Sequence, residues 1–248
     1  MINNKDREIL LELDINSRQN NQAIGKKLKL SKEVVNYRIK KMLDEKIITN
    51  FTAIIDNSKL GIQVYRTFIN FQNTSEKKEK EIINYIIKDN NVSWAVSIFG
   101  KWNLNFHYWA ENKNSFSKFI ENINKRFGKY IFEEQTEISD YYTIFPKKMI
   151  ANKTFKEIPS FTCGKEEKIN LDSKDIKILS ILANNSREKL LDISKKTNLA
   201  PNTVISKIKN LKKEKILLSY SIGIDANKIG FKFFHLVINY KNYDSSRI

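Results

Sequence analysis

Few side chains in this 248-residue sequence could carry covalent or metal chemistry: His107 and His235, far apart along the chain, and one cysteine, Cys163. Two distant histidines and one thiol lack the paired spacing of a zinc site, and a lone thiol closes no internal disulfide. There is no glycine-rich phosphate loop and no nucleophile elbow. The expectation is therefore no metal, no cofactor and no catalysis. What the sequence offers instead is cationic, with 44 Lys and Arg against 28 Asp and Glu and a net charge of +16. Residues 151 to 248 hold 19 of those basic residues and only 10 of the acidic ones. Lys and Arg that contact phosphates release condensed counterions, so such an excess suits a polyanionic partner. The abundance of Lys, Asn and Ile along the whole chain also fits the coding bias of an A·T-rich genome.

The elements that would position these cations follow from periodicity. Residues 5 to 15 put Ile9, Leu10 and Leu13 on one helix face, and the polar run "NSRQNN" ends that helix. A second, short helix is expected over 21 to 29, with Ile24 and Leu28 inward. Ser31 suits the N-cap of a third, whose core stripe is Val35, Ile39 and Met42. The β-branched and aromatic stretch "KIITNFTAIID" reads as a hairpin or wing. A short helix, a tight turn and a capped helix make a helix-turn-helix, in which close packing calls for a small residue on the first of the pair; Gly25 occupies that place.

The pattern then recurs. An ungapped shift of 169 residues superposes Asp6 on Asp175, Asn16-Ser17-Arg18 on Asn185-Ser186-Arg187, Ile39 on Ile208, Glu45-Lys46-Ile47 on Glu214-Lys215-Ile216 and Gly61 on Gly230. A domain-sized duplication is the reading. Ser194 stands at the place of Gly25, and Ala200 replaces the capping Ser31, a loss of about 1 kcal/mol that Pro201 at the first helical position partly offsets.

Between the copies, strands are expected over 63 to 73, 92 to 99, 104 to 110 and 133 to 145, and helices over 74 to 88 and 115 to 127. This βαββαβ order implies an antiparallel sheet with two helices on one face. Phe68, Trp94, Phe106, Tyr108, Tyr141 and Tyr142 offer more aromatic surface than a small monomer readily covers, which points to a homodimer through this domain. The expected division is a winged helix-turn-helix at 1–61, a ferredoxin-like domain at 62–150, a linker at 151–170, a second winged helix-turn-helix at 171–230 and the start of an incomplete second ferredoxin-like domain at 231–248. The class is α+β. As a flexible coil the linker would span roughly 25 Å, enough for both helical units to reach neighbouring turns of one duplex, about 34 Å apart. No secretory leader opens the sequence and no apolar run suits a membrane helix, so a cytoplasmic protein without a membrane partner is expected.

Taken together, Asp6-Arg7-x-Ile9-Leu10, Asn16-Ser17-Arg18, Leu30-Ser31, Arg38-Ile39, Ile55-Asp56 and Lys59-Leu60-Gly61, followed by βαββαβ, resemble the Lrp/AsnC family of prokaryotic transcription regulators. The resemblance covers residues 3 to about 150 and starts again over 172 to 242. It implies double-stranded DNA as partner, with the third helix in the major groove, and a ferredoxin-like domain that dimerises and binds an amino acid or similar effector. Carried onto this sequence, the DNA-contacting candidates of the first copy are Ser31, Lys32, Glu33, Asn36, Tyr37, Arg38 and Lys40, Asn36 being suited to adenine. Those of the second are Asn202, Ser206, Lys207, Lys209 and Lys213. For each, a solvated helix face is the alternative. Asn36, Tyr37 and Arg38 map onto Ile205, Ser206 and Lys207, so the second helix should not read the same bases. Ile205 either contacts a thymine methyl or marks a unit that grips mainly backbone through its lysines.

The family's Gly-x-x-Asp turn, near the effector region, corresponds here to Gly100-Lys101-Trp102-Asn103, making Gly100, Trp102 and Asn103 the effector candidates, although Asn103 lacks the charge of the Asp. Two other functions compete. An architectural protein coating A·T-rich DNA would show a large salt slope with little sequence preference, against which Glu33 argues. Sirohaem decarboxylases resemble the same architecture, but their Phe-Pro-Leu run is absent where this chain has "DINSRQN" and "ANNSREK".

Overall fold

The computed structural model describes residues 2–139, 141–151, 159–164, 168–232 and residues 234, 236 and 238. Helices α1 (Asn4–Ile15), α2 (Asn21–Leu28) and α3 (Lys32–Asp44) open the chain. Each starts where a short polar side chain satisfies an otherwise unpaired backbone N–H: Asn3 accepts from Asp6, Asn20 from Ala23 and Ser31 from Val34. Their apolar stripes meet in one core that includes Ile9, Leu13, Ile24, Val35, Ile39 and Met42. Strand β1 (Ile48–Ile55) follows, and a short 3-10 turn ends at Gly61, whose φ of 74° suits glycine.

The middle of the chain runs β2 (Gln63–Phe71), α4 (Glu76–Ile86), β3 (Val92–Ser97), β4 (Leu104–Ala110), α5 (Lys113–Phe127) and β5 (Ile131–Ser139). Its antiparallel sheet has the order β3-β4-β2-β5. Tyr65, Ile69, Leu104, Phe106 and Tyr108 pack under α4 and α5 with Ile82, Ile86, Phe119 and Ile123. Most of the aromatics that suggested an uncovered face are accounted for within the domain. Phe106 and Tyr108 contact Phe119, and Phe68 is buried against Trp102, ring centroids 5.7 Å apart. Trp94 lies half-buried on His107.

Two further strands, β6 (Tyr141–Ile144) and β7 (Phe161–Gly164), pair antiparallel with each other. The second set then follows as α6 (Ser173–Asn184), α7 (Leu190–Thr197), α8 (Pro201–Lys213) and β8 (Leu217–Ile224). Every one of these boundaries lies 169 residues after its counterpart in α1, α2, α3 and β1. The segment expected as a flexible linker is thus partly a strand, and Ile169 N–H bonds to Lys59 O at 2.8 Å. Residues 152–158 and 165–167 of that linker lie outside the described residues. So does most of the segment read as the start of a second ferredoxin-like domain, where Phe234, Leu236 and Ile238 are exposed and belong to no strand.

Of the hairpin or wing expected after the third helix, a single wing strand forms in each copy. Each copy supplies one strand, and the two pair with each other: β1 runs antiparallel to β8, with Thr52 opposite Ser221, Phe51 opposite Ile222 and Ala53 opposite Tyr220. Thr52 and Ser221 are themselves 169 residues apart, so a pseudo-twofold axis passes between them. The same axis brings the hydroxyls of Ser17 and Ser186 within 2.6 Å. Around it contacts come in matched pairs. Ser17 N–H bonds to Tyr220 O and Ser186 N–H to Phe51 O, each at 3.1 Å, while Lys59 donates to Glu214 O and Lys228 to Glu45 O, each at 2.7 Å. This is an isologous dimer contact made within one chain. Two units swinging on a loose tether are therefore replaced by two units locked in one geometry.

Gly25 shows how tightly the first helix-turn-helix closes. A Cβ there would stand 2.5 Å from Leu30 O, a backbone atom. In the second copy Ser194 tolerates its side chain by donating a hydrogen bond to the equivalent carbonyl, Leu199 O. Gly25→Ala should lower the unfolding free energy by about 1–3 kcal/mol despite alanine's higher helix propensity. Gly25→Ser should cost less, because its hydroxyl can repeat the Ser194 bond; urea denaturation of both variants checks the order.

Candidate nucleic-acid interface

Burial of Val35, Ile39 and Met42 fixes which side of α3 faces solvent. Lys32, Glu33, Asn36, Tyr37 and Lys40 are exposed on that outer side, Tyr37 at 68%. Asn36 is steadied by a hydrogen bond from the Asn21 side chain of α2. Ser31 has its hydroxyl engaged as the N-cap, 3.2 Å from Val34 N.

Arg38 departs from the set. Its guanidinium bonds to Asp6 at 2.7 Å and to Asn3 at 3.2 Å, tying the middle of α3 to the start of α1. The second copy repeats the device, with Lys207 contacting Asp172 at 2.6 Å and Asp175 at 3.0 Å. Lys207 and backbone N–H groups hold the Asp172 carboxyl down at about 2. Arg38 and Lys207 are thus engaged in orienting the third helix of each copy. Asn202, Ser206, Lys209 and Lys213 stay exposed on α8.

Two residues noted in the sequence only as part of the repeated Asn-Ser-Arg motif hold the copies together. Arg18 donates to the carbonyls of Ser186 and Glu188 and lies 5.8 Å over the Tyr220 ring. Arg187 donates to Ser17 O at 2.6 Å, Gln19 O at 3.3 Å and the Asn21 side chain at 2.9 Å, and lies 4.9 Å over Phe51. The signal was present in the sequence, since Asn-Ser-Arg is retained in both copies while the exposed positions of the third helices diverge.

The turn expected to serve an effector is engaged inside its own domain. Asn103 accepts from Phe71 N–H at 2.7 Å and its own N–H bonds to Ile69 O at 3.0 Å, which anchors the turn to β2. Trp102 is buried over Phe68 rather than presented to solvent, and Gly100 is exposed with φ of 141°. A cavity of about 680 Å³ lies elsewhere, between the sheet face opposite the helices (Arg66, Trp94, His107) and the paired β1, β8 and α6. Among the described residues no cluster of three metal-ligating side chains occurs, and no helix is long and apolar enough to cross a membrane.

Residues 171–212 match the AsnC-type helix-turn-helix domain and residues 2–49 a winged helix-turn-helix DNA-binding domain. An uncharacterised HTH-type transcriptional regulator of Pyrococcus furiosus is 30% identical over 121 residues, 48% of this chain and 81% of that protein. Among solved structures, an AsnC family transcriptional regulator from Agrobacterium tumefaciens superposes with a TM-score of 0.50 at 19% identity, over 64% of this chain and 97% of its own. The siroheme decarboxylase NirDL superposes with a TM-score of 0.60 at 14% identity over 89% of this chain, which spans 65% of that enzyme's length. At such identities both likenesses concern the fold.

The Asp172–Lys207 pair gives a test of the orienting role. A carboxyl depressed in the folded state stabilises above its unfolded pKa, and that contribution is lost as pH falls through about 2. Lys207→Met should raise the Asp172 midpoint towards the ordinary value of ~3.9, followed by carboxyl NMR. An unchanged midpoint would remove Lys207 as its cause.

Proposed function

Since the chain belongs to the Lrp/AsnC family of helix-turn-helix transcription regulators, we propose that it binds double-stranded DNA sequence-specifically and presents two recognition helices, α3 and α8, from one chain. The observation that carries this reading is the pseudo-twofold pairing of β1 with β8. Rotation about an axis preserves height along it, so equivalent helices lie at one level on either side, the arrangement by which a helix-turn-helix dimer meets two half-sites. In this reading Asn36 reads an adenine edge, Tyr37 and Glu33 select neighbouring bases, and Lys32 and Lys40 meet phosphates. On α8, Asn202 and Ser206 reach the groove while Lys209 and Lys213 grip the backbone. Arg38 and Lys207 position these helices through their carboxylate partners, and Ser31 starts α3.

The two faces differ in chemistry, so the favoured site is asymmetric, with a sequence-reading half under α3 and a more tolerant half under α8. The protein acts by binding and catalyses no reaction; it further dimerises through the ferredoxin-like domain and responds to an amino-acid-sized effector. The effector would enter away from Trp102 and Asn103, whose side chains are engaged in the fold.

Selection of bound duplexes from a random DNA pool at near-physiological salt tests the reading. An unequal bipartite motif is expected; a perfect palindrome, or retention with no motif, would count against it, the latter in favour of an architectural DNA-coating protein. Asn36→Ala should cost about 1–3 kcal/mol on the preferred site and relax one position of the motif. Lys209→Gln with Lys213→Gln should leave the motif intact and reduce the slope of log K against log salt by about 2.

A further inference from the structure

The two copies differ where α8 faces the first copy. A cleft of about 360 Å³ opens there, with Leu190, Ile205, Ile208 and Tyr220 as apolar walls and Arg18, Lys209 and Lys212 as cations, and with no carboxylate in its lining. The duplication supplies an internal control, because the equivalent place in the first copy is built differently. There Asn21 and Asn36, the counterparts of Leu190 and Ile205, bond to each other, and Arg187 closes over them by donating to Asn21 at 2.9 Å. Leu43 stands where the second copy has Lys212. Two polar residues have thus been exchanged for apolar ones and one apolar residue for a cation, around a single space.

The lining sets no acid among its cations, although the Glu188 carboxylate, held low first by Lys196, also feels the Arg18 charge. The Lys212 ammonium stands 4.6 Å from the centroid of the Tyr220 ring and the Arg18 guanidinium 5.8 Å from the same centroid. Two cations gathered on one ring repel each other, and an anion between them would remove that repulsion. Burial, and then the Arg18 charge, pull the Lys212 pKa down. One nitrogen of Arg18 serves the carbonyls of Ser186 and Glu188, and the guanidinium fork has further donors.

We propose that this cleft is a binding site for a small amphipathic monoanion, a carboxylate with a branched aliphatic or aromatic body, held by Arg18 and Lys212 and packed on Leu190, Ile205 and Tyr220. A lone DNA phosphate would use the cations and leave the apolar walls idle. A carboxylate with an apolar body uses both. Bound there, the ligand would lie against α8 beside Lys209 and alter how that helix meets DNA, giving one half of the chain a control that the other half lacks.

The test is calorimetric titration of the full chain without DNA, so failure here leaves the DNA-binding reading standing. Probes are 4-methylpentanoate and phenylacetate, their neutral amides, and inorganic phosphate. The carboxylates should bind saturably, and the amides about tenfold or more weakly. Lys212→Gln should weaken the carboxylates by about tenfold, and Leu190→Asn with Ile205→Asn, which restores the first copy's residues, should remove binding. Unfolding midpoints confirm that the variants fold. Absence of saturable binding, or amides as tight as the acids, would overturn the proposal; phosphate as tight as the carboxylates would overturn it in favour of a seat for the DNA backbone.

Discussion

Each copy of the duplicated unit makes one wing strand and leaves it without a partner of its own. A single strand exposes a row of backbone donors and acceptors that must be satisfied by another chain segment or by water. Here β1 and β8 satisfy each other, with Thr52 against Ser221 on the pseudo-twofold axis. Everything nearby is arranged by that pairing. It brings Ser17 to Ser186, lays Arg18 over Tyr220 and Arg187 over Phe51, and fixes where α3 and α8 stand relative to each other.

Duplication within one chain also frees the halves from being identical, which two copies of a shorter chain could not achieve. Asp14 is buried in the first copy, where it takes Ser221 Oγ at 2.7 Å, Lys147 N–H at 2.7 Å and the Lys147 ammonium at 2.6 Å. Its counterpart is Ala183, whose carbonyl accepts from Thr52 Oγ1 at 2.9 Å. One side of the axis therefore carries an ion pair that draws in the segment after β6, and the other carries a neutral contact. A burial of this kind needs full pairing, since removing one partner strands a charge in the interior.

Local patterns carried much of the fold in the sequence. Apolar spacing located the helices to within a residue or two, and the 169-residue shift marked the second unit because Asp6, Ser17, Ile39 and Gly61 all kept their counterparts. The partner of β1 was not legible, because a strand's alternation specifies a face and not which edge it meets. The strand within the linker was not legible for a related reason: Phe161–Gly164 is four residues long and has no period, and only its pairing with β6 makes it a strand. Among candidate site residues, the outward face of α3 followed from its buried stripe. Arg38 and Lys207 did not, since their acidic partners on α1 and α6 lie 32 residues away in sequence. The packing of the candidate effector turn was not legible either, because a tryptophan in a turn gives no sign of folding back onto Phe68.

Whether one chain forms its own helix-turn-helix pair can be decided at the contact on the axis. With Ser17 and Ser186 replaced by cysteine and Cys163 by serine, mild oxidation should close a disulfide where the hydroxyls now stand 2.6 Å apart. A self-paired chain gives a cross-link within the single chain, formed at the same rate at every protein concentration and seen as a monomer of altered gel mobility. Cross-linking only between chains, at a rate that rises with concentration, would contradict it.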